Sequence, residues 1–126
     1  MEYLHTDISK QVLGAAIEVH NTLGPGFLES VYEGALVSEF RRIQLLFQRQ
    51  VEIPVWYKGD LVGTHKLDLL VAGNVIVELK AVKALDAVHT AIALSYLSAT
   101  NLSVALVLNF ARPRLEFKRI FRTRER

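Results

Sequence analysis

Between residues 67 and 82 the chain reads LDLLVAGNVIVELKAV, two apolar runs joined by a short turn. Successive side chains of a strand point to opposite faces, so Glu78 and Lys80 share one face of the second run. Apart from these two residues, the second run predicts a strand that is buried on both faces. A buried carboxylate or ammonium group costs free energy unless it is paired, hydrated or bound to a metal. The pair therefore marks this strand as a candidate site of chemistry.

The length of the turn determines whether Asp68, in the first run, belongs to the same site. A two-residue loop at 73–74 pairs Asp68 with Leu79 and puts it on the wrong face. A three-residue loop at 72–74 pairs Asp68 with Glu78 instead. Three-residue loops often end in a left-handed residue, which glycine and asparagine tolerate. We therefore expect the three-residue loop, with the Cβ atoms of the two acids about 4.5–5.5 Å apart.

Two carboxylates at that separation repel each other unless a proton or a cation lies between them. Because oxygen ligands suit Mg²⁺ or Mn²⁺, the pattern predicts a divalent metal site at Asp68 and Glu78. The alternative is a cross-strand surface cluster in which Lys80 accompanies the two acids and no metal binds.

The composition excludes several classes of protein. The chain has 126 residues, enough for a real core, and we interpret residues 1–126 as a single domain. It has no cysteine, which excludes zinc ribbons, thiol catalysis and disulfide scaffolds and fits a reducing cytoplasm. The first residues lack the order of a signal peptide, and no apolar run approaches the roughly 20 residues of a spanning helix. We therefore expect a cytoplasmic protein that does not bind membranes.

Two features of the composition indicate partners. Hydrophobic residues make up 51% of the chain and the mean hydropathy is +0.24. We therefore expect a second subunit to cover part of the surface, with a homodimer favoured. The net charge is only +2, yet residues 112–126 include seven basic and two acidic side chains. A basic tail on a mildly acidic body suits a polyanion such as DNA or RNA, the alternative being a solvated charged terminus.

The hydrophobic periodicity predicts eight elements in the order ααβββαββ. A first helix, capped by Thr6 or Asp7, ends at the Gly24-Pro25-Gly26 turn. The later elements are a helix from about Phe27 to Leu45, strands at 50–57, 61–71 and 75–82, a helix from Asp86 to about Thr100, and strands at 103–110 and 115–121. Pro54 places the first strand at an edge or a bulge. A helix between the third and fourth strands implies a mixed sheet flanked by helices, an α/β fold of the α+β kind.

Helical spacing also predicts which helix faces are buried against this sheet. The expected stripes are Leu28, Val31, Tyr32, Ala35, Leu36, Phe40 and Ile43 in the second helix, and Val88, Ala91, Ile92, Ser95 and Tyr96 in the third.

Asp68 followed by Glu78-Leu79-Lys80 on the next strand, after a helix that carries an acid, resembles the PD-(D/E)XK nuclease superfamily. More narrowly, Gly26-Phe27-Leu28-Glu29-Ser30-Val31-Tyr32 matches the motif that names the GxxExxY group within it. The segments 14–20, 23–26, 57–59, 67–71, 108–110 and 118–120 are similar to that group as well. The resemblance implies a restriction-endonuclease-like core and metal-dependent hydrolysis of nucleic-acid phosphodiester bonds.

By this resemblance, Asp68 and Glu78 hold Mg²⁺ or Mn²⁺ with help from the main-chain carbonyl of Leu79. Lys80 orients or activates the attacking water and stabilises the negative charge that develops on the phosphate. Glu29 corresponds to the helical acid of the superfamily and holds the metal or a bound water. The alternative for Glu29 is a first-turn glutamate that the helix dipole favours.

Further candidates for substrate contact or support are His20, Tyr32, His89, Tyr96, Lys118 and Arg119. The tyrosine one turn after Glu29 is as readily a core residue with a hydrogen-bonded hydroxyl. Each histidine either contacts a phosphate or has a structural role.

One position departs from the family pattern. Relatives carry glutamine four residues before the tyrosine of the helix after the E-x-K strand, where this chain has Ile92 before Tyr96. Isoleucine cannot donate or accept a hydrogen bond beside a metal or substrate. Three functions therefore stay open: a metal-dependent nuclease, a nucleic-acid-binding module with weak or no turnover, and an oligomeric interaction protein.

Overall fold

The structure, a computed structural model that describes residues 5–123, contains the eight elements in the predicted order. They are α1 (Thr6–Leu23), α2 (Glu29–Arg42), β1 (Phe47–Tyr57), β2 (Asp60–Val71), β3 (Val75–Lys80), α3 (Ala87–Thr100), β4 (Val104–Asn109) and β5 (Glu116–Phe121). Residues 1–4 and 124–126 lie outside the described part, and with them Arg124, Glu125 and Arg126 of the predicted basic tail. The α+β class is confirmed.

The five strands form one mixed sheet in the order β1-β2-β3-β4-β5. The central strands β3 and β4 are parallel, and the other neighbours are antiparallel. Because parallel neighbours cannot be joined by a tight turn, α3 provides the crossover between them. All six residues of β4 are buried, since helices cover both faces of the sheet. Pro54 lies in the edge strand β1, as its missing N–H group predicts.

The helices α1 and α2 pack on one face of the sheet, and α3 packs on the other. Helical spacing aligns the buried apolar residues of α1 in one stripe, Val12, Ala15, Ala16 and Val19. Gly24 ends this helix with a φ of 71°, a positive value that glycine adopts readily. The predicted N-cap of α1 at Thr6 or Asp7 is wrong. The N-cap residue is His5, and its side chain makes no capping hydrogen bond.

The buried stripe of α2 is narrower than predicted. The helix begins at Glu29 and ends at Arg42, and the residues of its middle turns contact the core. Three members of the predicted stripe near the two ends are exposed, namely Leu28, Val31 and Ile43.

The buried face of α3 also differs from the predicted one. Ala93 and Leu97 are buried, whereas Val88 and Ile92 are exposed. Because apolar residues surround almost the whole circumference of α3, its sequence does not single out one face for the sheet. None of the helices within residues 5–123 is long and apolar enough to cross a membrane.

Candidate functional site

The β2–β3 hairpin has the three-residue turn that its sequence predicts. Val71 pairs with Val75 across the turn, and main-chain pairing continues to Leu69 and its partner on β3. The next positions in this register are Asp68 and Glu78, which follow the last main-chain pair, Leu69 with Val77. The two acids therefore lie opposite each other at the point where the strands part.

Side chains replace the missing main-chain bonds at this point. The Asp68 N–H donates to Glu78 Oε2 at 3.1 Å, and the Leu79 N–H donates to Asp68 Oδ2 at 2.8 Å. Each acid thus binds the backbone of the opposite strand, so the two carboxylates are held in fixed positions beside the opening between β2 and β3. Hydrogen bonds from backbone N–H groups to a carboxylate are charge-assisted and short.

The electrostatics of the pair favour an added proton or cation. Glu78 is only 6% exposed. Burial and then the negative charge of Asp68 raise the pKa of Glu78 to about 8, against the hydrogen bond from Asp68 and the attraction of Lys80. Burial is also the main cause that raises the pKa of Asp68, and the charges of Glu33 and Glu29 add to it. Two ionised carboxylates here are unfavourable without a positive partner.

We expect the metal-free protein to lose stability as the pH rises from about 5 to 8. The unfolded chain releases the Glu78 proton near the ordinary pKa of 4.5, whereas the folded protein holds it until about 8. The folded state binds more protons in this window, so raising the pH removes its advantage. For a domain of this size, each 1 kcal/mol lost from the free energy of unfolding lowers the Tm by roughly 4 °C.

Calorimetric melting in a chelating buffer at several pH values measures this loss. Glu78→Gln should flatten the pH dependence, because the amide does not titrate in this range. Adding Mn²⁺ near pH 8 should raise the Tm of the wild type and not that of the variant. Parallel pH profiles for the two proteins would contradict the prediction.

Glu29 joins the site from the first turn of α2. Its Oε2 accepts a hydrogen bond from the Ala81 N–H at 3.1 Å, which connects the helix to the residue after Lys80. The charge of Glu29 raises the pKa of both Asp68 and Glu78, and that of Lys80 lowers both. The fold therefore brings together Glu29, Asp68, Glu78 and Lys80, the four residues to which the resemblance gives catalytic roles.

Tyr32 has a structural place beneath this corner. It is fully buried, its hydroxyl donates to the Gly24 carbonyl at 2.5 Å and accepts from the Phe27 N–H at 3.1 Å. Its ring stacks on Phe110 with 4.5 Å between ring centroids. Because the hydroxyl ties together the turn that precedes α2, Tyr32 determines how Glu29 enters the site.

We expect Tyr32→Phe to destabilise the protein by about 1–3 kcal/mol, since it leaves the two main-chain partners of the hydroxyl unsatisfied. Urea denaturation followed by circular dichroism measures the free energy of unfolding. Tyr57→Phe is the matched control, because Tyr57 is 59% exposed and its change should alter stability by less than about 0.5 kcal/mol. Equal losses in the two variants would disprove the role of the hydroxyl.

The two histidines have structural partners. His20 is buried, its Nε2 bonds the Arg112 carbonyl at 2.9 Å, and its ring stacks on Phe110. His89 completes a capping box at the start of α3: its Nδ1 accepts from the Asp86 N–H at 3.0 Å. These contacts give each histidine a structural role. Contact of either ring with substrate stays a prediction.

Tyr96 lies beside the acidic pair on the α3 side of the sheet. Burial first, and then the charges of Glu78 and Asp68, raise its pKa. Its ring packs edge-on against His65 of β2 at 5.1 Å between centroids. Ile92, one turn earlier, is 38% exposed rather than buried under the helix.

The register of the sheet separates the two basic candidates on β5. Glu78 pairs with Val107, which pairs with Lys118, so Lys118 shares a face with Glu78 two strands away. Arg119 points to the opposite face, where its Nη2 bonds Thr6 Oγ1 at 3.3 Å and its guanidinium lies over Phe121. The fold thus places Lys118, and not Arg119, on the face of the acids.

Glu33 is a residue near the site that no motif of the sequence predicts to have a role there. This residue lies one turn after Glu29 on α2, is 9% exposed, and its charge raises the pKa of Asp68. Its spacing of four from Glu29 is the signal that indicates a shared helix face.

Asn109 is a second residue whose role no motif of the sequence predicts. It is fully buried at the end of β4 and lies opposite Lys80 in the register. Its Nδ2 donates to the Val82 carbonyl and to Glu116 Oε1, each at 2.9 Å. Its Oδ1 accepts from the N–H groups of Val82 at 3.0 Å and Ala111 at 3.2 Å. One amide therefore anchors the segment that follows Lys80.

Asp68 and Glu78 have the oxygen ligands that a divalent cation prefers, but their side chains alone do not form a complete set of ligands. Within residues 5–123, no group of three or more His, Cys, Asp and Glu side chains is arranged to hold a metal ion. Asp68 and Glu78 nevertheless supply oxygen ligands, and their shared burial leaves negative charge that a cation would neutralise. The Leu79 N–H contacts Asp68, and the carboxylate of Glu29 contacts the Ala81 N–H two residues later.

Comparison with known proteins places the chain in a family. No curated protein matches it significantly. The crystal structure of a protein named SSO0001 shares the fold with a TM-score of 0.58 and 14% sequence identity. The match covers 95% of this chain and 60% of that one, so this chain spans 60% of the length of the solved relative. The model of the PD-(D/E)XK nuclease superfamily matches residues 6–120, and the chain belongs to that superfamily.

Proposed function

We propose that this protein is a metal-dependent nuclease that hydrolyses nucleic-acid phosphodiester bonds at Asp68, Glu78 and Lys80. One observation carries the proposal: two part-buried carboxylates, each bonded to the backbone of the opposite strand, stand with a lysine where the central hairpin opens. Superfamily membership supports nuclease chemistry, and the Gly26–Tyr32 motif supports placement in the GxxExxY group.

In this proposal Asp68, Glu78, the Leu79 carbonyl and Glu29 hold Mg²⁺ or Mn²⁺. A divalent cation in such a site polarises a phosphoryl oxygen and lowers the pKa of bound water. Lys80 donates hydrogen bonds to the attacking water and to the phosphate as negative charge develops there. The hydrogen bond between Glu29 and the Ala81 N–H keeps the end of β3, and with it Lys80, in place.

The proposed partner is DNA or RNA in a reducing compartment such as the cytoplasm, since the chain has no cysteine. Lys118 supports this choice because it shares a sheet face with Glu78. Positive charge in the C-terminal part of the chain also comes from Arg112, Arg114 and Arg122. We take residues 1–126 as one nuclease-like domain. A polyanion gains affinity from such contacts in a salt-dependent manner.

Titration with Mn²⁺ and Mg²⁺ by calorimetry, paired with a cleavage assay, tests the proposal. We expect the wild type to bind the ions, and Asp68→Ala and Glu78→Ala to abolish both binding and cleavage. Asp60→Ala is the matched control, because Asp60 is an exposed aspartate at the far end of β2. Equal binding and cleavage by all four proteins would refute the assignment.

A nucleic-acid-binding module without turnover is the second candidate. Ile92 favours it, because an exposed isoleucine stands where a glutamine would donate and accept hydrogen bonds. Salt-sensitive binding of DNA or RNA, with no cleavage under either ion, would support this function over the first. Binding that does not depend on salt would reject it.

Association into a homodimer, or a function as an oligomeric interaction protein, stays a prediction from the composition. Exposed apolar side chains on the β1–β2 hairpin and on α3 support it, among them Trp56, Tyr57, Leu61, Val62, Val88 and Ile92. Sedimentation velocity over a range of concentrations tests it, and a monomer throughout would reject it.

A further inference from the structure

Gln50 of β1 has an unusual backbone in a strand. Its φ is 50°, in the left-handed region that residues other than glycine seldom adopt. The β1–β2 register passes from Arg49 opposite Leu69 to Val51 opposite Leu67 and has no pair between them. In this register Gln50 lies opposite Asp68, and these two residues are not paired. The strand therefore departs from regular pairing beside the proposed metal ligand.

The side chain of Gln50 is held by a carboxylate on α2. Its Nε2 donates to Glu33 Oε1 at 2.9 Å, and the neighbouring Arg49 Nε donates to Glu33 Oε2 at 3.1 Å. Glu33 is 9% exposed, and both of its oxygens are occupied by these two donors. The hydrogen bonds of Glu33 with Arg49 and Gln50 connect the irregular part of β1 to α2, the helix that carries Glu29.

Asp68 has no main-chain pair on either side at this point. The pairing of β1 with β2 skips Asp68, and the pairing of β2 with β3 ends at Leu69. Its place is maintained by its bonds with Glu78 and Leu79 and by the shape of β1 beside it. The charge of Glu33 also raises the pKa of Asp68, as expected for a carboxylate close to the site.

We propose that Glu33 and Gln50 are positioning residues, which hold β1 in its irregular form so that Asp68 faces Glu78 in a geometry that binds a divalent cation. This inference rests on the proposed metal site. Glu33 does not itself need to touch the metal, because its two oxygens bind Gln50 and Arg49. Residues that orient metal ligands in this way commonly change metal affinity by 10–100-fold when they are replaced.

Gln50→Gly separates positioning from folding. Glycine adopts a positive φ readily, so the variant keeps the backbone conformation and removes the side chain that bonds Glu33. We expect the variant to fold with a Tm close to that of the wild type, since the relief of the positive φ offsets the lost hydrogen bond to Glu33, and with a Kd for Mn²⁺ raised at least about tenfold. The matched control is Lys58→Gly, because Lys58 also has a φ of 50° but lies at the tip of the β1–β2 hairpin. The control should bind Mn²⁺ as the wild type does.

A double-mutant cycle with Glu33→Ala, which removes the acceptor of the Gln50 amide, tests whether the two residues act through one bond. Combining Gln50→Gly with Glu33→Ala should weaken Mn²⁺ binding no further than the larger single change. If Gln50→Gly does not fold, Gln50→Asn replaces it, since asparagine tolerates a positive φ and is one methylene too short to reach Glu33.

The outcomes distinguish this inference from the proposed function. A wild type that binds no Mn²⁺ would remove the metal site itself. A wild type that binds Mn²⁺, with the folded Gln50 variant binding equally well, would overturn only the positioning role. Additive losses in the cycle would likewise overturn the link between Glu33 and Gln50.

Discussion

Lys80→Ala is expected to lower metal-dependent cleavage by about 10²–10³-fold, the usual effect of removing one group that stabilises developing charge. Lys80 carries no oxygen ligand, so its loss should change the Kd for Mn²⁺ by less than about tenfold. Its charge lowers the pKa of both Asp68 and Glu78, so its loss raises both, and cleavage is therefore compared over a series of pH values at which a shifted profile separates from a lower maximal rate. Single-turnover cleavage, paired with calorimetry, measures the two effects separately.

Lys83→Ala is the control for this prediction. Lys83 lies three residues later on the same segment and is exposed, so its replacement removes the same charge without touching the acidic pair. We expect it to retain most of the activity. If Lys80→Ala and Lys83→Ala cleave equally fast, Lys80 has no catalytic role and contributes only general attraction for a polyanion.

Asn109→Leu should cause the largest loss of stability. The change removes an amide with four hydrogen-bonded contacts to Val82, Ala111 and Glu116 from a fully buried position. Each buried group left without a partner costs about 1–3 kcal/mol, so we expect a loss of about 3 kcal/mol or more. That loss corresponds to a fall of roughly 10 °C in Tm. Thermal melting followed by circular dichroism measures it.

Glu116→Gln separates the contribution of the Asn109 amide from that of one partner. The variant keeps an oxygen that can accept from Asn109 and from the Leu85 N–H, so we expect a loss below about 1 kcal/mol. A Tm for Asn109→Leu within 2 °C of the wild type would mean, by the same scaling, that the segment after Lys80 is anchored by other contacts.

The element order and the hairpin register were predictable because both depend on local patterns. A strand alternates with a period of two, so a change of one residue in the turn would move Asp68 to the other face. Glycine and asparagine at 73–74 made the three-residue turn the favoured one. Local chemistry likewise explains why Pro54 lies in an edge strand and why α1 ends at Gly24.

Local patterns failed where packing between elements decides. The apolar residues of α3 lie on all sides of the helix, and contact with the sheet selects Ala93 and Leu97 rather than Val88 and Ile92. The helix α2 begins only at Glu29, because the Tyr32 hydroxyl holds the preceding residues in a turn through Gly24 and Phe27. The residues at the ends of the predicted stripe therefore lie outside the core. Hydrophobic periodicity identifies a helix but not its neighbours.

By itself, the sequence determined that Asp68, Glu78 and Lys80 share one hairpin, because residues so close along the chain are positioned by alternation and turn length. Only the tertiary structure decided which distant groups support them. Glu33 meets Gln50 across 17 positions of sequence, and Asn109 meets Val82 across 27. Such contacts depend on how helices and strands pack together, and no periodicity within one element encodes them.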